Sequence, residues 1–284
     1  MREFTFPGRD GQQIIACRWD PAAAPRGVVQ LTHGMGEHVR RYDALAGALT
    51  GEGFVVVGQD HRGHGATATT LGELGPGGWE SLVDDIGVLM GLTKAEHPGL
   101  PYVLLGHSMG SFAAQQFLLD HSRDVTAAVL TGTSLLDLLE PALDLDAPLD
   151  LSAFNAPFAP ARTDFDWLSR DEAQVDRYVA DPRCGFGIDA ASGKGMFVGA
   201  RALADPARLA AMRSDLPLYV AVGELDPVGG QTALVTALVE RYRAAGLSDV
   251  TLKIYPGARH EVFNETNRDE VVADLLAWLS RASA

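Results

Sequence analysis

Ser108 sits in Gly106-His107-Ser108-Met109-Gly110, between an apolar run, Tyr102 to Leu105, and a helix-forming segment, Phe112 to Leu119. Strand, sharp turn and helix with a serine at the turn is the setting in which G-x-S-x-G acts as a nucleophile elbow. Such a turn strains the serine backbone and lifts its hydroxyl clear of the sheet. Gly106 and Gly110 let strand and helix pass closely. The helix start sets free backbone N–H groups beside the hydroxyl, where an oxyanion would form. The chemistry this points to is nucleophilic attack on a carbonyl. The five letters alone are weak, since a glycine-rich loop with a solvated serine carries them too. The rest of the chain must supply a base, an acid and a second oxyanion donor.

A serine needs a base to take its proton, and the base needs an acid to fix its tautomer. For this elbow the chain order is serine, acid, histidine. There are eight histidines. His33, His38, His61, His64, His97 and His107 precede the serine, and His121 follows it too closely for an acid to intervene at a later strand end. His260 comes late, in a loop after an apolar run, and is the candidate base. The acid is Asp226 or Glu224, which follow the same run. Asp226 precedes Pro227 in the turn, from which a side chain can reach a loop histidine, so it is preferred; Glu224 is better placed to cap or pair locally. The oxyanion donors are expected to be the Met109 amide and an amide of the loop Gly34-Met35-Gly36. His61 and His64 lie three apart with no third ligand nearby, a poor metal signal. No metal or cofactor is expected.

These residues need a scaffold that brings strand ends together. Phe4 to Phe6 and Gln13 to Trp19 read as strands around the turn Gly8 to Gly11, an N-terminal hairpin. Gly27 to Thr32, Phe54 to Gly58, Tyr102 to Leu105, Val125 to Thr131, Leu216 to Val222 and Val250 to Tyr255 are apolar runs of the kind found in buried strands. Between them, Arg41 to Leu49, Trp79 to Glu96, Gln231 to Ala245 and Asp269 to Leu279 show helical spacing. The alternation predicts an α/β fold, a mostly parallel sheet flanked by helices. Ligands of such sheets gather at the carboxyl ends of the strands, where all the candidate groups lie. The alternation stops at residues 134–200, broken by Pro141, Pro148, Pro157, Pro160 and Pro182. A structureless loop of that length is improbable, so an inserted helical cap is expected there, with the α/β core at 1–133 and 201–284. The cap carries twelve acidic and five basic side chains, and it also holds Phe154, Phe158, Phe165, Trp167, Phe186 and Phe197.

The chain has 284 residues, 46% of them hydrophobic, enough for one sizeable core. No apolar run approaches the length of a membrane span, and the N-terminal stretch has no signal-peptide pattern. Cys17 and Cys184 have neither metal nor disulfide-framework spacing. A reducing cytoplasm fits. The net charge of −14 disfavours nucleic acid and anionic membranes as partners. A neutral small molecule is the expected partner, without stable membrane insertion.

Taken together, His33-Gly-Met-Gly-Glu-His38 with Arg41-Tyr42, Asp60-His-Arg-Gly-His-Gly65, Gly106-His-Ser-Met-Gly110, Gly223-Glu-Leu-Asp-Pro227 and His260-Glu-Val-Phe-Asn-Glu265 resemble the monoacylglycerol lipase and lysophospholipase-like (serine aminopeptidase S33-type) branch of the α/β-hydrolase superfamily. Each is common; the ordered set is specific to that branch. The resemblance implies an eight-stranded sheet with a cap between strands six and seven. It implies Ser108 as nucleophile, Asp226 as acid and His260 as base, with oxyanion donors at Met35 and Met109. Phe165 to Arg170, Tyr178 to Pro182 and Cys184 to Phe186 look like bacterial caps. Ser111 departs from the pattern, where many relatives have a second glycine, and is expected to shift the elbow slightly.

The expected activity is serine-dependent hydrolysis of a carboxylic ester through an acyl-enzyme, with monoacylglycerols or other short- to medium-chain neutral esters as implied substrates. The same triad also serves thioesters, polyesters, peptides and acyl transfer. The competing class is a non-catalytic binding protein on this fold, against which the presence of all three triad side chains counts.

Overall fold

Five strands of the chain are buried at every position: β3 (Gly27–Thr32), β4 (Phe54–Gln59), β5 (Tyr102–His107), β6 (Ala127–Thr131) and β7 (Leu218–Gly223). Continuous apolar strands of this kind require cover on both faces of the sheet. The computed structural model describes residues 1–142, 144–147 and 151–283. In it, β1 (Arg2–Pro7), β2 (Gln13–Trp19) and β8 (Val250–Tyr255) complete an eight-stranded sheet in the order β1-β2-β4-β3-β5-β6-β7-β8. The β1–β2 and β2–β4 pairings are antiparallel and the rest are parallel. The N-terminal hairpin therefore forms as the sequence suggests and extends one edge of the sheet.

Alternate strand residues feed two cores. Val28, Val55, Val57 and Leu104 face a layer built from α2 (Gly78–Glu96), α3 (Met109–His121) and α8 (Ala233–Ala244). Val29, Val56, Val103 and Leu105 face α1 (Asp43–Gly51) and α9 (Arg268–Ala282). Among the described residues, no helix is long and apolar enough to cross a membrane.

Between β6 and β7 the chain leaves the sheet. It forms α4 (Leu136–Leu139), α5 (Glu172–Ala180), α6 (Ala190–Ala200) and α7 (Pro206–Ala210), joined by 3-10 turns at Glu140–Ala142, Leu151–Phe158, Asp166–Leu168 and Arg201–Ala204. Pro148, one of the sequence breaks, lies outside the described residues. Aspartates start three of the helices. The side chains of Asp171, Asp189 and Asp205 accept from the amides of Ala173, Ser192 and Ala207 at 3.1, 2.9 and 2.8 Å, satisfying N–H groups that have no intrahelical partner. Ion pairs take up further acids, Asp137 with Arg241, Asp146 with Lys194 and Asp171 with Arg268.

Candidate active site

Ser108 follows β5 directly with φ 52° and ψ −125°, a conformation uncommon for a residue with a Cβ. Its amide donates to the Thr131 carbonyl at 2.9 Å, and its carbonyl accepts from the Ser111 and Phe112 amides at 2.7 and 3.1 Å. The crossing of strand and helix leaves no space. A Cβ on Gly106 would stand 2.6 Å from the Gly110 carbonyl oxygen, and one on Gly110 would stand 2.1 Å from that of Thr32. Ser111 fits because its hydroxyl turns back and donates to the Ser108 carbonyl at 2.6 Å. The residue that departs from the family pattern therefore braces the turn.

Both carboxylate oxygens of Asp226 lie 3.0 Å from Nδ1 of His260. The pair is 1% and 2% exposed. A carboxylate facing Nδ1 keeps the proton there and leaves Nε2 as the acceptor. Burial alone pushes the His260 imidazole down. The charge and hydrogen bond of Asp226, with help from Glu261 and Glu37, outweigh burial and hold it above the ordinary 6.5. Glu224, the other acid considered, accepts from the Gly257 amide at 2.8 Å instead. His107 packs at a tilt against His260, at 4.7 Å between ring centroids. Burial first, and the His260 charge second, push His107 down to about 4, so it stays neutral beside His260.

Ser108 stands between two cavities. The larger, of about 290 Å³, is walled by Met35, Met109 and apolar side chains including Leu136, Phe154, Trp167, Met196 and Phe197. The smaller is narrow, about 10 Å³, and its wall carries His260, Gly34, Glu37 and Tyr178 as well as Ser108. Ser108 and His260 thus border one space. Met109 opens α3, so its amide is one of those a helix leaves without an internal acceptor. Met35 lies in the turn after β3 and borders Ser108 in both cavities.

Glu37, which the sequence reading did not single out, shapes that turn. Its Oε1 accepts from the Gly34 amide at 2.6 Å and from the Tyr42 hydroxyl at 2.8 Å, and its Oε2 from Arg41 at 2.8 Å. Arg41 in turn holds Glu261, the neighbour of His260, at 2.5 and 2.8 Å. The spacing Glu37 to Arg41 is i, i+4 and leads into the 3-10 turn Val39–Tyr42. Beneath this turn His33, His61 and His64 pack together, with ring centroids 4.3 and 5.4 Å from His33. His33 Nε2 accepts from the His61 amide at 2.9 Å. Burial pushes His33 and His64 down to about 3 and His61 well below its ordinary value. The three are neutral packing groups, and the spacing of His61 and His64 reflects that cluster.

His38, Asp181 and Cys184 present donor atoms within 4.8 Å of one another. Two features oppose a cation there. His38 Nε2 already bonds Asp181 at 2.9 Å, and Arg40 and Arg183 border the adjoining cavity. The contact instead ties the insertion to the turn after β3, beside the bond from the Gly185 amide to the Gly36 carbonyl at 3.0 Å.

The family model for serine aminopeptidase, S33, matches residues 23–267. The chain belongs to that family of α/β-hydrolases. Within it, the chain is 34% identical to the monoacylglycerol lipase of Mycolicibacterium smegmatis, over 98% of this chain and 96% of that one. It is 27% identical to the monoglyceride lipase of Homo sapiens, over 97% and 89%. The structure of a highly thermostable carboxyl esterase from Bacillus coagulans, in complex with glycerol, superposes with a TM-score of 0.88 at 29% identity, over 100% and 99%. This S33 family member is a hydrolytic enzyme of the ester-hydrolase kind, in the branch that includes the monoacylglycerol lipases.

Proposed function

We propose that the enzyme hydrolyses monoacylglycerols and other short- to medium-chain neutral esters through an acyl-enzyme. The observation that carries this reading is the position of Ser108, at a positive-φ turn that borders an apolar cavity and a narrow space shared with His260. In this account the acyl chain lies in the apolar cavity. Ser108 Oγ attacks the ester carbonyl carbon as His260 Nε2 takes its proton. The amides of Met35 and Met109 receive the negative charge that forms on the carbonyl oxygen. His260 then gives the proton to the leaving alcohol. Water, deprotonated by the same nitrogen, attacks the acyl carbon and frees Ser108 and the acid. Asp226 holds the imidazole in the required tautomer throughout.

The larger cavity, near the low end of small-molecule sites, supports a short or medium chain, at about 0.8 kcal/mol per methylene buried. Asp144 is the one charged residue among the described residues of its wall, and a carboxylate there opposes an anionic substrate. The insertion acts as the cap over the serine. Free thiols at Cys17 and Cys184 support a reducing compartment, the cytoplasm.

The test is kcat/KM for a monoacylglycerol series of rising chain length, each paired with the lysophosphatidate of the same acyl group. The reading expects a rise with chain length to a medium-chain maximum and a preference for the neutral member. Equal rates on both members, or rates independent of chain length, would contradict it.

A further inference from the structure

Arg41 joins two loops that carry different parts of the site. On one side it bonds Glu37, whose other oxygen holds the Gly34 amide at 2.6 Å, next to Met35. On the other it forks onto both oxygens of Glu261, which follows His260 in sequence. The contact spans 220 positions of chain. All three side chains are nearly sealed from solvent, at 11% for Arg41, 3% for Glu37 and 6% for Glu261. Tyr178 of α5 closes the site from the insertion, with its ring 4.7 Å from the guanidinium carbon. A second set of bonds fixes Glu261. Its amide donates to the Leu168 carbonyl at 2.8 Å, and its Oε2 accepts from Asn264 at 2.9 Å.

We propose that Arg41 is a positioning residue for ester hydrolysis, locking the turn that carries the Met35 amide to the loop that carries His260 and neutralising the carboxylates beside that base. This rests on the reading of Ser108 and His260 given above. The physical argument has two parts. A planar guanidinium can hold two carboxylates at fixed angles, which a lysine ammonium cannot. One cation set against two buried carboxylates also leaves a residual negative charge near His260. The groups facing His260 are Asp226 after β7, His107 and Ser108 at the end of β5, Glu37 and Arg41 after β3, Glu261 in its own loop and Tyr178 from α5. Glu261 and Glu37 both favour the imidazolium. Arg41 opposes them, so the charge balance of the trio sets the pH at which the base becomes available.

The experiment is the pH profile of kcat/KM for ester hydrolysis in wild type, Arg41→Lys, Arg41→Gln and Glu261→Gln, with thermal unfolding run in parallel. Arg41→Lys should keep the acid limb in place while kcat falls about 10- to 100-fold at nearly constant KM, because the charge stays and the fork is lost. Arg41→Gln should move the acid limb up by about one pH unit, and Glu261→Gln should move it down by a similar amount. If Arg41→Gln does not fold, Arg41→Lys and Glu261→Gln still decide the matter. Acid limbs that coincide with wild type in Glu261→Gln and Arg41→Gln, or an Arg41→Lys enzyme with full kcat, would overturn the proposal. An absent acid limb in wild type would instead overturn the assignment of His260 as base.

Discussion

Asp226 faces His260 with both carboxylate oxygens at 3.0 Å from Nδ1, while Glu224, two residues earlier, is turned to the Gly257 amide. The two acids end the same strand, yet only one reaches the histidine. Asp226→Asn should therefore lower kcat by about four orders of magnitude, because an amide at that place favours the wrong imidazole tautomer. Glu224→Gln should lower it by less than about tenfold. Steady-state hydrolysis of one soluble ester checks both, and the reverse ranking would move the acid to Glu224.

The same pair sets the pH response. Asp226 holds the His260 imidazole above its ordinary 6.5 against the effect of burial. The imidazolium cannot accept the serine proton, so kcat/KM should fall as pH drops through a midpoint above that value. Asp226→Asn should move the limb down. A rate constant from pH 5 to 8, with chemistry limiting, would contradict a histidine base.

Stability should respond to acid through other histidines. Burial pushes His33 and His64 to about 3, His107 to about 4 and His61 well below its ordinary value. The unfolded chain protonates these groups near 6.5 and the folded chain does not. Unfolding thus takes up protons, and stability falls as pH drops below about 6.5, by up to about 1.4 kcal/mol per unit for each fully titrating group. His260 acts in the opposite sense but is a single group. The urea midpoint should drop between pH 7 and 5, before carboxylates titrate. An unchanged midpoint over that range would contradict neutral burial of the cluster.

Gly110 tests the elbow as structure. A Cβ there would stand 2.1 Å from the Thr32 carbonyl oxygen, a backbone atom that cannot rotate away. Gly110→Ala should destabilise by at least about 2 kcal/mol and abolish activity. Denaturant unfolding measures the first effect. A variant as stable and active as wild type would mean that helix and strand do not cross so closely.

The sheet was readable because β3, β4 and β5 are apolar on both faces, a pattern that needs no tertiary information. The elbow was readable because its glycines are required locally. Asp226 and His260 were candidates from chain order, and of the two acids it is Asp226 that lies against His260. Segment ends were less legible. Arg41 to Leu49 reads as one helix, yet it begins as a 3-10 turn, Val39–Tyr42, whose first amide is taken by Asp60 at 2.8 Å. Gln231 and Thr232 have positive φ and delay α8 to Ala233. The link from Arg41 to Glu261 was hidden, because nothing local couples residues so distant in sequence.

The central claim is that Ser108 is the nucleophile, and covalent labelling tests it most directly. Wild-type enzyme treated with a fluorophosphonate should carry one phosphonyl group, mapped by peptide mass spectrometry to the segment around Ser108. Ser108→Ala should carry none, keep its fold, and lose about six orders of magnitude in kcat. Labelling of another residue in wild type, or ester hydrolysis by Ser108→Ala within tenfold of wild type, would contradict the account.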